Sequence, residues 1–136
     1  MNHQVDPLAA QIPDGGLFAR PLFQEPDARG LARVGVIDIG SNSVRMVVFD
    51  GAARSPAYFY NEKILCGLGA GFVETGRLNA SGRARALSAL KRFAALAAGM
   101  NVSALVTVAT AAMREAEDGA EFRAEAEAAT GLTIHV

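Results

Sequence analysis

At 136 residues, 51% of them apolar, the chain is one domain's worth of sequence with enough hydrophobic content to bury a core. A formal net charge of -1 with no Lys/Arg block excludes a broad basic surface for nucleic acid or anionic membrane. Cys66 is the single cysteine, which excludes an intrachain disulfide and suits a reducing compartment. No apolar run approaches the roughly 18 residues of a membrane span, and the N-terminus lacks a basic-then-apolar signal layout. The expected location is cytoplasmic.

In chain order, residues 1–32 read as a flexible Pro/Gly-rich tail. Pro7, Pro13, Pro21 and Pro26 alternate with Gly15, Gly16 and Gly30, and proline both fixes its own φ and removes a donor. Leu17, Phe18, Leu22 and Phe23 are its residues able to dock on a folded part. From Arg33 the pattern sharpens. "RVGVID" predicts a buried strand, the polar stretch Asp38 to Ser43 a loop, and "VRMVVFD" a second strand. "GAARSPA" is a turn and "AYFYNEKIL" a third strand, with Tyr60 and Phe59 on opposite faces. A Gly-rich connection, "CGLGAGFVETGRL", precedes a helix from about Ser81 to Ala98. Leu87, Leu90 and Ala94 set its stripe, Phe93 and Ala97 widen it, Asn79 or Ser81 caps it, and Gly99 stops it.

"ALVTVA" is a fourth strand, apolar enough to be central and covered on both faces. A second helix follows from about Gly119 to Thr130. Asp118 and Glu121 are spaced as a capping box, and Phe122, Ala126 and Ala129 form its inner face. "LTIHV" opens a fifth strand. The order β-β-β-α-β-α-β predicts an α/β fold, a mixed five-stranded sheet with packed helices.

The loop between the first two strands is richer than a turn requires. Asp38 closes the first strand, Gly40 frees the backbone to turn, and Ser41, Asn42 and Ser43 add hydroxyl, amide and main-chain donors within three positions. Clustered donors make an anion-binding concavity, and a neighbouring carboxylate suits a divalent cation or a water. The structural alternative spends those side chains on bonds to their own turn. Thr110 and Arg114 emerge at the carboxyl end of the fourth strand, the edge where open α/β sheets bind ligands, and arginine suits bidentate phosphate contact. If the first and fourth strands are neighbours, the two patches converge. Otherwise Arg114 is a surface partner of Glu115 or Glu117.

"VGVIDIGSNSVRMVV", "GLGAGFVETGRLNASGRARALSALKRFAALA" and "VTVATAAMREAED" together resemble the N-terminal part of the exopolyphosphatase and guanosine pentaphosphate phosphohydrolase family, across Arg33 to Val136. The resemblance implies the first domain of the actin, Hsp70 and sugar-kinase (ribonuclease H-like) fold. It implies hydrolysis of a terminal phosphoanhydride in inorganic polyphosphate or guanosine pentaphosphate, assisted by Mg2+. Asp38 would lie beside metal and attacking water, and Gly40, Ser41, Asn42, Ser43 and Thr110 would bind the terminal phosphate with Arg114 as its clamp. A homodimer is left open for full-length members.

Members carry a G-x-E-E-A segment, with the general base, after the fifth strand, and a D-x-G-G-G-S phosphate loop beyond it. Neither is present, so the expectation is a domain cut at its fifth strand. Cys66 stands where relatives have arginine, and Gly82 replaces a glutamate that would cap the first helix. Two rival readings share these residues: a non-catalytic module that binds polyphosphate or an alarmone, and a sugar- or acetate-kinase relative. The glycines from Gly67 to Gly76 do not open a helix directly, against a dinucleotide site. His3 and His135 lack metal-ligand company, and Cys66 reads as a buried thiol. Arg83, Arg85, Lys91 and Arg92 read as a solvated helix face in preference to a track for a long polyphosphate, and the acidic run from Glu115 to Glu127 reads as another solvated face.

Overall fold

The computed structural model describes residues 33–50 and 57–136. The tail expected over residues 1–32 and the turn at 51–56 lie outside the described residues.

Arg33–Ile39 (β1), Ser43–Asp50 (β2) and Ala57–Leu65 (β3) form an antiparallel meander. Val102–Ala109 (β4) then pairs in parallel with β1, and Ile134–His135 (β5) with β4. Four helices connect these strands: Phe72–Thr75 (α1), Ala80–Gly99 (α2), Ala111–Glu115 (α3) and Gly119–Thr130 (α4). The sheet order is β3-β2-β1-β4-β5, so β1 is central.

Alternation along β1 and β2 sends Ile37, Ile39, Val44, Met46 and Val48 to one face. That face is closed by Leu90 and Phe93 of α2 and by Phe122 and Ala126 of α4, all fully buried. Parallel neighbours need crossovers, and α2 and α4 supply two of the same hand advancing in the same direction. They therefore share a side of the sheet and pack on each other.

The predicted elements form, with local differences. The apolar run of β4 predicts a strand covered on both faces. Instead β4 is second from the edge, Ser103 and Ala104 are exposed, and Thr107 is its one buried residue. Hydropathy alone cannot tell a strand buried twice from one buried once. Gly99 does not end α2; Met100 caps it, and Asn101 takes the left-handed turn at φ 53°, which asparagine tolerates. Ala129 is exposed, and α4 buries Gly119, Phe122 and Ala126 instead.

The capping box at Asp118 does not form. Its carboxylate, on a residue only 4% exposed, accepts from the Leu78 N–H at 2.8 Å and from Arg83 at 3.1 Å. A long-range partner outcompetes the local one. Arg83, also bonded to Glu125 at 2.7 Å, accordingly leaves the solvated face predicted for it. Gly82 is a packing requirement and not a weakened cap. A Cβ there would stand 2.6 Å from the Gly67 carbonyl oxygen, while its N–H donates to the Asn79 side chain.

Candidate phosphate site

The β1–β2 hairpin tip is held by main chain. The Gly40 N–H donates to the Ser43 carbonyl at 2.9 Å, closing the turn. The segment after β3 then wraps it: Cys66 and Gly67 N–H both donate to the Asn42 carbonyl at 2.9 Å, and Gly69 N–H donates to Ser41 at 2.8 Å. Gly69 has to be small here, because a Cβ would sit 3.0 Å from the Ser41 Cβ. The glycines missing from any dinucleotide fingerprint thus serve as a brace for the tip.

Because backbone groups do this bracing, the side chains are left over. Ser41 and Asn42 are exposed and Ser43 half-buried. Among the described residues their hydroxyls and amide have no hydrogen-bond partner. The alternative in which these side chains satisfy their own turn is therefore not what the chain does. Asp38, also exposed, has no ion-pair partner among the described residues.

The adjacency on which the second patch depended is present. Asp38 lies beside Val108 and Ile39 beside Ala109 in the β1–β4 register. Thr110 ties the two loops directly, with its N–H at 3.0 Å and its hydroxyl at 3.2 Å from the Ile39 carbonyl. Its hydroxyl proton is spent on that tie, so Thr110 positions the loops. Arg114, on α3, stands at the same edge with a 62% exposed side chain and a loose 3.7 Å contact to Glu115. An exposed pair of that length is worth at most about 1 kcal/mol, so the guanidinium is easily redirected.

Arg45, the basic residue that follows the loop motif, is a further candidate at this edge. It lies directly across from Asp38 in the β1–β2 register, exposed and without an ion-pair partner among the described residues. Directly opposed residues have Cβ atoms about 5 Å apart. The signal was available, since a tip closed between Gly40 and Ser43 fixes the register that pairs positions 38 and 45.

Cys66 is buried, and burial pushes its thiol up from the ordinary value against the weaker pull of a backbone hydrogen bond and Arg85. It is a neutral packing residue. Among the described residues no three His, Cys, Asp or Glu side chains gather as a preformed metal cage, and no helix is long and apolar enough to cross a membrane.

A meander leading into two crossovers, with polar loops from β1 and β4 meeting at one edge, defines a domain of the actin-like ATPase fold. Comparison with known proteins carries this further. Residues 47–136 match the Ppx/GppA phosphatase family. Among curated proteins, exopolyphosphatase 1 of Mycobacterium tuberculosis and that of Mycobacterium bovis are each 27% identical over 103 residues, 75% of this chain and 30% of theirs. An Aquifex aeolicus Ppx/GppA phosphatase superposes with a TM-score of 0.74 at 30% identity, over 77% of this chain and 35% of that one. An exopolyphosphatase from Cytophaga hutchinsonii gives 0.70 at 26% identity, over 75% and 33%. The chain belongs to the Ppx/GppA phosphatase family. It spans about a third of the length of the relatives it matches.

Proposed function

We propose that this domain holds the terminal phosphate of inorganic polyphosphate in a phosphoanhydride hydrolase. The observation that carries the reading is the hairpin tip from Gly40 to Ser43. Main-chain bonds brace it, and its Ser41, Asn42 and Ser43 side chains have no partner among the described residues. Side chains kept idle at an edge with two redirectable arginines suit a ligand with several anionic oxygens.

In the reaction, water attacks the terminal phosphorus and the bridging P–O bond breaks, releasing orthophosphate and a chain one unit shorter. Ser41, Asn42 and Ser43 donate to the terminal phosphate, while Arg45 and Arg114 balance its charge. One exposed carboxylate at a strand end fits Mg2+, which takes one or two carboxylates and completes its shell with substrate phosphates and water. Asp38 would hold it, and bound there the ion would polarise the phosphoryl oxygens. Guanosine pentaphosphate presents the same anhydride and is the competing substrate. Polyphosphate is preferred because the curated relatives are exopolyphosphatases.

A second reading, binding without hydrolysis by this chain alone, is favoured by the neighbouring carboxylates. Glu115 and Glu117 each lie 3.7 Å from an arginine, Arg114 and Arg77, and among the described residues no cluster of three acidic, histidine or cysteine side chains gathers about Asp38.

Titration with polyphosphate in Mg2+ tests the binding reading, and phosphate release assays the chemistry. Asn42→Ala should weaken binding about tenfold while unfolding at the wild-type temperature, since the side chain touches nothing structural. Equal binding by wild type and Asn42→Ala would sink the proposal. Release of orthophosphate by the wild type, lost in Asp38→Ala, would overturn the second reading.

A further inference from the structure

The segment from Cys66 to Gly69 is bonded to the hairpin tip on one side and to the start of α2 on the other. Toward the tip, Cys66, Gly67 and Gly69 donate their N–H groups to the Asn42 and Ser41 carbonyls at 2.8 to 2.9 Å. Toward the helix, three residues spaced three apart take one residue of the segment each. The Asn79 N–H donates to the Leu68 carbonyl at 2.8 Å, Gly82 abuts the Gly67 carbonyl, and the Arg85 Nε donates to the Cys66 carbonyl at 2.8 Å. We infer that Arg85 is a positioning residue for the terminal-phosphate loop, acting through the Cys66–Gly67 peptide. The inference rests on the function proposed above.

The bond path is short. The carbonyl of Cys66 and the N–H of Gly67 belong to one planar peptide unit and point in opposite directions. Arg85 donates to the first at 2.8 Å, and the second donates to the Asn42 carbonyl at 2.9 Å. A guanidinium bound at the carbonyl end polarises that unit and makes its N–H a stronger donor. The Asn42 carbonyl is thereby pinned at the turn whose Ser41, Asn42 and Ser43 side chains are left for a ligand. A neutral donor in place of Arg85 supplies the bond without the polarisation.

Two further features set Arg85 apart from an ordinary surface cation. Among the described residues it has no carboxylate partner, whereas Arg83, two positions earlier, is shared by Asp118, Glu121 and Glu125. Its charge is therefore not neutralised before it reaches the loop. It is also held in place. Besides the Cys66 bond, its Nη2 lies 3.5 Å from where a Cβ on Gly67 would stand, so the guanidinium runs along the turn it bonds.

The test follows single amides and ligand binding together in wild type, Arg85→Gln and Arg85→Lys, each in the full chain. Without ligand, Arg85→Gln should speed Cys66 and Gly67 amide exchange about tenfold while Val36 and Ile37 of β1 keep wild-type protection. Its binding of tripolyphosphate, in fixed salt and Mg2+, should weaken about fivefold. Arg85→Lys, which keeps the charge and a donor, should recover most of both losses. Acceleration of the Gly67 and β1 amides together would mean a general loss of stability and would overturn the inference. So would loosening at Gly67 with unchanged binding, or a lysine variant no better than glutamine. Weaker binding with unchanged Gly67 exchange would make Arg85 a direct phosphate contact and overturn the positioning role. Loosening at Gly67 with no binding of tripolyphosphate to the wild type would overturn the function proposed above and the role of Arg85 with it, leaving only the brace.

Discussion

Two glycines of α2 show how the same residue type serves opposite ends. Gly82 is wedged against the Gly67–Leu68 backbone, and an added Cβ would come within 2.6 to 2.9 Å of three main-chain atoms. Backbone cannot swing aside as a flexible side chain can. Gly82→Ala should therefore cost about 2 kcal/mol or more, read as a lowered unfolding midpoint, and should loosen the brace on the hairpin tip. Gly99 has nothing within 4 Å of its would-be Cβ and ordinary helical φ. Gly99→Ala should stabilise by about 0.5–1 kcal/mol by removing unfolded-state entropy. Equal effects at the two positions would contradict the packing described. At this scale the Asn42 side chain is free of structural duty and Arg114 nearly so, whereas Thr110 is not.

Between elements, Asp118 is the principal polar tie. It joins the start of α4 to the segment leading into α2, through Leu78 and Arg83, with Arg77 within 3.9 Å. Burial would push its carboxyl up, but the Leu78 N–H and the Arg83 guanidinium outweigh burial and hold it below its ordinary value. Glu127 is lowered too, chiefly by the Ile134 N–H at 2.8 Å and then by Arg123, which ties α4 to β5. Both groups bind a proton more readily unfolded than folded. Their stabilisation is thus complete above the unfolded carboxylate pKa of about 4 and is lost as pH falls through the lower folded values. Denaturant midpoints should hold from pH 7 to 5 and drop below about 4. Asp118→Asn keeps an acceptor for Leu78 but loses the charge that Arg83 pairs with. It should be less stable at neutral pH and show a shallower acid drop. An unchanged acid profile in Asp118→Asn would remove Asp118 from this account.

For the molecule as a whole, the sheet order puts β1 at the centre, bonded to β2 and β4, with β2 likewise between β1 and β3. Ile37 and Ile39 are buried there, whereas β5 has two residues and β3 lies at an edge with Phe59 and Leu65 exposed. Amide exchange in β1 should be the slowest and should track global unfolding, with β5 and the outward amides of β3 faster by orders of magnitude. Slowest exchange in β3 or β5 would contradict the sheet order. Asp38 is the penultimate residue of the central strand, while Arg114 sits on the five-residue α3 beyond β4. Metal and terminal phosphate would meet a fixed carboxylate and a movable guanidinium.

The sequence by itself determined what depends on neighbours along the chain. Alternation in "RVGVID" and "VRMVVFD" marks β1 and β2, the Leu90 and Phe93 stripe marks α2, and the D-x-G-S-N-S loop carried the resemblance to the family. Tertiary structure alone decided where partners distant in sequence compete for the same group. Asp118 abandoned its cap for Leu78, 40 residues away. Gly82 proved to be a contact surface for Gly67, and the Gly-rich segment a brace for Ser41 and Asn42. Arg83 and Arg85, two positions apart on α2, were separated into an ion-pair network around the buried Asp118 and a cation with no ion-pair partner among the described residues. Residues two apart on a helix point about 200° from each other, and only the packed neighbours say what each one meets.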